Sequence, residues 1–182
     1  MRFLSLLFVI AVSGCSYTQP NLKPKQWRYA TDPHGSQAIL NGPLVNEEQF
    51  AIQFKRVPRV DKQNNSWVEL IYDLPTKQLP SQFNIALTYK SDNALIVKLS
   101  QQEYGGSGDK SYAHYQSKLP ASDTWQTINV ALNDFARPNW TPAWSKDKGV
   151  ILKHVSALYF VPDLTDTEGG EASLAIKSLR IE

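Results

Sequence analysis

The chain has 182 residues, 42 % of them hydrophobic, and its 19 Lys and Arg against 17 Asp and Glu give a net charge of +2. The charges are interspersed and form no basic block, which argues against nucleic-acid binding because phosphate recognition needs clustered Lys or Arg. A single cysteine, Cys15, excludes an intramolecular disulfide, so the fold must be stabilised by its core. The length suits one domain.

The first residues are typical of a secretory signal peptide. Arg2 precedes the apolar run Phe3 to Val12, which is too short to span a bilayer as a helix. The sequence Val12-Ser13-Gly14-Cys15 is similar to the lipobox of bacterial lipoproteins, in which small residues fit the signal peptidase and the cysteine thiol is lipidated. We predict a lipoprotein signal peptide over residues 1–14, although an ordinary cleaved signal with an incidental cysteine is the alternative.

Lipidation at Cys15 would make the membrane a partner through an N-terminal anchor of acyl chains such as palmitate. Ser16 follows the cysteine and, by analogy with enterobacterial sorting, favours the outer membrane of a Gram-negative cell envelope. We interpret residues 15–26 as the lipidated cysteine and a polar tether. The folded domain is predicted to span residues 27–182.

The domain sequence alternates apolar and polar residues with the period of two that is typical of β-strands. Alternate residues from Phe83 to Tyr89 and from Leu95 to Leu99 form two apolar rows, and the turn-forming Ser-Asp-Asn between them predicts an antiparallel hairpin. Eight or nine strands are expected, with at most one helical turn near Leu132 to Phe135. Such strands favour an all-β fold, a two-sheet antiparallel β-sandwich, because their opposite faces are left to solvent.

One strand begins with a tryptophan and is followed by an apolar row. Trp125 precedes Ile128, Val130 and Leu132, and Phe135 comes after them. We interpret both Trp125 and Phe135 as core residues.

The order of motifs in the second half of the domain resembles a known superfamily. The strand that opens with Trp125 ends in Leu-x-Asp-Phe, and the loop after it contains Pro-x-Trp at 138–140. Val-x-Ala-Leu-x-Phe then occupies 155–160, and the closing Leu-x-Ile-x-x-Leu-x-Ile occupies 174–181. This order resembles the galactose-binding-like jelly rolls, which include carbohydrate-binding modules and the assembly-factor domain of complex I intermediate-associated proteins. The resemblance covers roughly residues 45–182 and implies the jelly-roll fold more than a function.

Sugar binding needs flat aromatic faces and side chains with several hydrogen-bonding groups. The strands on either side of the glycine-rich segment 105–108 supply both, and we expect three side chains of the second strand on one face. The candidate ligand-binding residues are Lys98, Tyr104, Tyr112, His114 and Gln116. The simpler alternative is a solvated sheet face with one tyrosine row in the core, which leaves the other tyrosine row unexplained.

A second aromatic candidate lies in the loop around residues 136–149. Pro138 and Pro142 stiffen this loop because each fixes its own φ angle. Trp140 matches the Pro-x-Trp anchor, and we interpret it as a cover for one end of the sandwich. Trp144 is the better ligand-binding candidate.

The sequence predicts no cofactor and no catalytic residues. The acidic segment with Asp163, Asp166, Glu168 and Glu171 could supply oxygen ligands to a structural calcium ion, but its spacing matches no EF-hand and a solvated loop is the simpler interpretation. The three histidines are widely separated, and no nucleophile, zinc-protease or phosphate-loop motif accompanies them. A jelly-roll enzyme such as a lyase is therefore only a third alternative.

The leading hypothesis is an envelope lipoprotein with a non-catalytic carbohydrate-binding domain, whose partner is a glycan. The alternative is a protein-interaction or assembly-factor lipoprotein, whose partner is another envelope protein and which binds no sugar.

Overall fold

The computed structural model describes residues 23–46, 49–62 and 64–182. The predicted signal peptide, Cys15 and most of the predicted tether lie outside the described residues. In the part of the chain that is described, no helix is long and apolar enough to cross a membrane.

The described residues form ten strands. They are β1 (Trp27–Thr31), β2 (Gln37–Ile39), β3 (Phe50–Arg56), β4 (Val68–Asp73), β5 (Asn84–Ser91), β6 (Leu95–Gln101), β7 (Gln116–Leu119), β8 (Ser122–Ala131), β9 (Val155–Pro162) and β10 (Gly170–Ile181). The remaining regular elements are single 3-10 turns at Pro24–Gln26, Gln102–Tyr104, Leu132–Asp134 and Leu152–His154.

The strands pair antiparallel in two five-stranded sheets. The first sheet has the order β1-β4-β9-β6-β7, and the second has the order β2-β3-β10-β5-β8. Alternate residues of the central strands are buried, so each sheet turns one apolar face toward the other. The predicted all-β, two-sheet sandwich is therefore confirmed.

Aromatic residues join the two sheets in the part of the core next to the edge strand β1. The ring of Trp27 in β1 lies 4.9 Å from Phe50 of the second sheet and 5.7 Å from Phe160 of its own sheet, measured between ring centroids. All three side chains are buried. Large apolar side chains of this kind contribute about 1.5–3 kcal/mol each on burial.

The apolar rows at 83–89 and 95–99 lie in the core as predicted, but the hairpin between them is wrong. β5 pairs with β8 and β10, whereas β6 pairs with β7 and β9. The Asp92–Ala94 connection therefore carries the chain from one sheet to the other. Alternation specifies which residues of a strand face inward, but it does not specify the neighbouring strand.

The prediction for Phe135 is confirmed and the one for Trp125 is wrong. Phe135 is buried, with its ring centroid 5.9 Å from that of Phe83. Trp125 is half-buried on the outer face of the second sheet, where Lys90 approaches its ring. Side chains alternate along a strand, and Trp125 lies five positions before Val130. Because Val130 faces inward, Trp125 faces outward.

β10 contains a bulge that changes which residues face the core. Its pairing with β5 shifts between Ile176 and Ser178, so Lys177 is the extra residue. Leu174 and Ile176 face inward before the bulge, and Leu179 faces inward after it. The bulge explains the two-residue gap in the closing apolar pattern of the sequence.

Candidate functional site

The outer face of the first sheet carries one polar and aromatic row that crosses all five strands. Arg28 is the register partner of Ile71, and Ile71 is the partner of Tyr159. Tyr159 is in turn the partner of Lys98, and Lys98 is the partner of Gln116. We call these five residues the Tyr159 row.

Beside the row, two opposite charges face each other without a hydrogen bond. Lys98 Nζ and Glu69 Oε1 are 3.9 Å apart, and both side chains are 18 % exposed. Burial lowers the pKa of Lys98 and raises the pKa of Glu69, each partly opposed by the other charge. Because an ammonium offers three donors and a carboxylate about four acceptor sites, this pair keeps much of its hydrogen-bonding capacity for another molecule.

The tyrosine at the centre of the row is fixed in place. Ser100 Oγ donates a hydrogen bond of 2.9 Å to the Tyr159 hydroxyl oxygen.

At the β1 end of the row, Arg28 Nε donates a hydrogen bond to the Asp73 carboxylate at 2.8 Å. Burial raises the pKa of Asp73, but the Arg28 hydrogen bond and charge outweigh it, so the net pKa is lowered and the carboxylate stays charged.

Three rings lead from this sheet face to the glycine-rich loop. His114 lies edge-to-face with Tyr159 at 5.8 Å and with Tyr112 at 6.5 Å between centroids. Its Nδ1 accepts a 3.2 Å hydrogen bond from the Gln101 backbone N–H, which fixes the acceptor nitrogen. Burial, reinforced by the Lys98 ammonium, lowers the pKa of His114 to about 4. The ring is therefore neutral and packs as an aromatic group.

The glycine-rich loop and the tryptophan loop are joined by a buried tyrosine. The Tyr104 hydroxyl accepts a hydrogen bond from the Lys148 backbone N–H at 2.9 Å and donates one to the Gly149 carbonyl at 3.2 Å. The Arg137 guanidinium lies 4.6 Å above the Tyr104 ring. Tyr115 adds a 2.7 Å hydrogen bond from its hydroxyl to Asp147. Residues 102–115 and 136–149 thus form one packed unit, which we call the loop pair.

A second connection runs through a serine. Ser145 Oγ donates to Asp109 at 2.6 Å and accepts from Arg137 Nη2 at 2.8 Å.

Gly108 occupies a position in the glycine-rich loop that has no room for a side chain. An added Cβ would come within 2.3 Å of the Gln102 and Glu103 carbonyl oxygens. Only glycine fits there without moving the backbone.

The loop pair holds three exposed aromatic side chains. Tyr112 is 57 % exposed, Trp140 is 52 % exposed and Trp144 is 61 % exposed. Backbone N–H groups of Thr141 and Ser145 donate to the carbonyls of the two loop prolines, so each tryptophan sits within a hydrogen-bonded turn. An exposed ring on an ordered loop loses little conformational freedom when a ligand binds.

The sequence-predicted residues are distributed between the sheet face and the loop pair. Lys98 and Gln116 are adjacent in the Tyr159 row, and Trp144 is exposed on the tryptophan loop. Tyr112 and His114 precede β7, which begins at Gln116, so the expected shared strand face is wrong. The backbone of Tyr112 has a φ of 54°, which no continuing strand allows.

Tyr104 and Trp140 also lie elsewhere than expected. Tyr104 is fully buried, so its ring offers no surface to a ligand and acts by holding the two loops together. Trp140 is exposed and does not cover the end of the sandwich.

Sequence reasoning missed four residues of the face: Arg28, Glu69, Asp73 and Tyr159. Tyr159 had a usable signal, because it stands between two core residues of β9 and therefore must point outward. The charged residues come from β1 and β4, which are far from the glycine-rich segment in sequence. Only the sheet order brings them to the same face.

The acidic segment is paired with cations. Asp166 forms ion pairs with Arg56 and Arg59, Asp163 lies 2.5 Å from Lys118 Nζ, and Glu171 lies 3.7 Å from Lys55 Nζ. Across the described ranges, no group of three or more His, Cys, Asp or Glu is placed to hold a metal ion. The calcium alternative gains no support from this geometry.

No protein-family model and no curated protein matches the chain. Solved structures do resemble it. One is the family 11 carbohydrate-binding module of the cellulosomal cellulase Lic26A-Cel5E of Clostridium thermocellum, with a TM-score of 0.60 and 14 % identity over 88 % of this chain and 92 % of that one. Another is a family 11 module from the same organism in complex with a β-1,3-1,4-mixed-linked tetrasaccharide, with a TM-score of 0.56 and 14 % identity over 84 % and 89 %. At this level of identity, the chain shares with these modules the jelly-roll sandwich fold.

Proposed function

We propose that the domain is a non-catalytic carbohydrate-binding module that binds a glycan on the outer face of the first sheet. The observation that carries the proposal is the Tyr159 row together with the Lys98–Glu69 pair. It combines an aromatic ring with the side chains of Lys98, Glu69 and Gln116, which form no hydrogen bond with other described residues.

The chemistry of this face suits a neutral sugar. A pyranose ring presents C–H groups on its faces and hydroxyls at its rim, and each hydroxyl both donates and accepts. Glu69 can accept from one hydroxyl while Lys98 donates to its neighbour, and Gln116 can do both. Since Arg28 and Asp73 already neutralise each other, the face carries no strong net charge.

The exposed rings of the loop pair extend the face. The line Tyr159–His114–Tyr112 leads from the sheet to the loop, so a chain of several sugars could contact Tyr112 after leaving the row. Trp144 lies on the partner loop and is our candidate for a further sugar unit. The fold shared with a module whose structure is in complex with a tetrasaccharide supports this assignment of the domain.

A glycan array with the fragment 23–182, which contains every described strand, tests the proposal. We expect selective binding of neutral oligosaccharides, followed by titration calorimetry with the best one. Lys98→Met and Tyr112→Ala should each lower affinity about tenfold, because each removes a direct contact without exposing core. Trp144→Ala should lower affinity for longer oligosaccharides more than for short ones.

Lys118→Gln is the matched control for these variants. It removes a lysine from the same face but one that is already paired with Asp163 at the sheet edge. Absence of binding across the array would reject the proposal and favour the protein-interaction alternative. Binding that all three site variants leave unchanged would reject the assigned face.

We also propose that Cys15 carries the lipid that attaches this module to the cell envelope, on the outer membrane. The support is the sequence Val12-Ser13-Gly14-Cys15 at the end of an apolar segment. Metabolic labelling with a radioactive fatty acid should mark the wild-type protein, and Cys15→Ser should abolish the label. Equal labelling of both proteins would reject Cys15 as the lipidated residue. Recovery of the labelled protein in the inner-membrane fraction would reject the outer membrane as its location.

A further inference from the structure

We propose that the outer face of the second sheet is a second ligand site, in which Lys90 and Lys177 beside Trp125 bind the anionic groups of an acidic glycan. This site lies on the opposite side of the sandwich from the Tyr159 row. It depends on none of the residues assigned to neutral sugar binding.

Two ammonium groups converge on one half-buried ring. Lys90 Nζ lies 4.6 Å from the centroid of the Trp125 ring, and Lys177 Nζ lies 5.8 Å from it. The bulge in β10 places Lys177 there, since a regular strand has no residue at that point. Cation–π attraction holds each ammonium near the ring, although two like charges close together repel each other.

Neither lysine has an anionic partner. Among the described residues, the side chains of Lys90 and Lys177 make no ion pair and no hydrogen bond. Two other cations of the same face are paired: Lys55 with Glu171 at 3.7 Å, and Arg180 with Glu182 at 4.0 Å. The N–H donors of both lysines are therefore available, and anionic groups of a ligand would offset the repulsion between the two ammonium charges.

Polar groups that suit a sugar chain continue from this point. Ser178 Oγ donates to Thr88 Oγ1 at 2.9 Å, and Thr88 Oγ1 lies 2.8 Å from Thr127 Oγ1, so three hydroxyls cross β10, β5 and β8 in a line. On the other side of Lys90, a groove of about 520 Å³ runs over the same strands. A polymer that follows the face could thus meet the lysines and the hydroxyls in succession, with the groove beside them.

Two carboxylates also line the groove, and neither forms an ion pair with Lys90 or Lys177. Both oxygens of Asp92 accept hydrogen bonds of 2.9 Å from the Ser173 backbone N–H, which hold this carboxylate on the β10 backbone. Asp123 is exposed at the β8 edge of the groove and forms no ion pair with Lys90.

An acidic glycan fits this face better than an anionic bilayer does. Docking to a bilayer interface uses protruding apolar rings or chains that enter the headgroup region. Here the ring of Trp125 is half-buried and approached by cations, and its surroundings are hydroxyls and a recess. The lysines suit the anionic groups of an acidic glycan, and the row of hydroxyls suits its sugar hydroxyls.

The test uses the full-length protein in neutral detergent and two probes that differ in charge alone: polygalacturonate and its fully methyl-esterified form. We expect the wild type to bind the acid form at least about tenfold more tightly at low salt, with the difference shrinking as salt is added. Lys90→Gln with Lys177→Gln should remove most of this preference, while Lys55→Gln should leave it unchanged. Addition of polygalacturonate should also change the tryptophan fluorescence of the wild type but not of Trp125→Phe.

The outcomes separate this site from the first. Lys98→Met should leave polygalacturonate binding intact even if it abolishes neutral glycan binding. Equal affinity for both probes, or full binding by the double variant, would overturn the proposal. Binding to mixed micelles that contain phosphatidylglycerol, with none to polygalacturonate or heparin, would overturn it in favour of a membrane surface.

Discussion

The two outer faces of the sandwich use their charges in different ways. On the first sheet, Lys98 and Glu69 are largely buried beside a tyrosine and oppose each other at 3.9 Å. On the second sheet, Lys90 and Lys177 approach a tryptophan, and neither forms an ion pair among the described residues. Both faces result from the same alternation of inward and outward residues. The period of two determines which side chains point outward, but it does not determine whether those side chains are charged, polar or aromatic.

The faces also differ in what surrounds them. The first face is bordered by the loop pair, which is held together by the buried Tyr104 and by hydrogen bonds to Lys148 and Asp147. The second face is bordered by a groove, and in the described part of the chain the Trp125 ring is contacted by the side chains of two lysines. Removing an aromatic residue should therefore have very different consequences on the two sides, and three measurements test this difference.

The largest effect is expected for Tyr104→Ala in the loop pair. The substitution removes a fully buried ring and leaves the Lys148 N–H and Arg137 without their contacts, so the free energy of unfolding should fall by about 4 kcal/mol. Urea denaturation measures this loss. Tyr104→Phe keeps the ring and should lose much less. A fall below about 1 kcal/mol for Tyr104→Ala would mean that the loop pair is not an integral part of the fold.

The next effect concerns the pH dependence contributed by His114. The pKa of His114 is about 4 in the folded protein, against an ordinary histidine value of 6.5 that applies to the unfolded chain. Between these two pH values the unfolded chain therefore binds a proton that the folded one does not. The contribution to stability is complete above pH 6.5 and is lost as the pH falls toward 4, by about 3 kcal/mol in total.

The comparison with His114→Asn isolates this contribution, because Asn can still accept the Gln101 hydrogen bond but does not titrate. Both proteins share the acid-sensitive carboxylates, so the difference between their urea midpoints should shift between pH 7 and pH 4. Parallel stability curves for the two proteins would show that the His114 ring is accessible to protons, and hence that the rim of the first face is open.

The smallest effect is expected for Trp125→Ala on the second face. The ring is half-buried outside the core and contacts two lysine side chains, so its removal should cost about 1 kcal/mol. Thermal or urea unfolding checks this. A loss as large as that of Tyr104→Ala would make Trp125 a structural residue and weaken its assignment to a ligand site.

The sequence predicted the inward rows of the sandwich because each row is a local pattern. Ile85 and Leu87 are buried as their alternation requires, as are Val97 and Leu99. The partner of each strand was not predictable in the same way, since a short turn between two strands is compatible with a hairpin or with a crossing to the other sheet. The prediction for Trp125 was wrong because the size of its aromatic side chain was given more weight than its position in the alternation.

Only those residues of the candidate site that lie near the glycine-rich segment in the sequence were predictable. Lys98 and Gln116 stand opposite each other because β6 and β7 are neighbours on either side of one loop. Glu69 and Arg28 join them through the order of five strands, which depends on contacts across the whole chain. His114 is polar in sequence but buried in the fold, because the loop between β6 and β7 folds back over the sheet and excludes water from the ring.

The bulge at Lys177 has a consequence for how the closing strand can vary in length. Deleting that single residue would leave Leu174, Ile176, Leu179 and Ile181 in plain alternation, all still directed inward. Deletion of a residue before Leu174, in the regular part of the strand, would instead move the residues that precede it to the opposite face. The closing strand can thus lose a residue at the bulge, and with it one of the two cations on Trp125, while its apolar row stays directed inward.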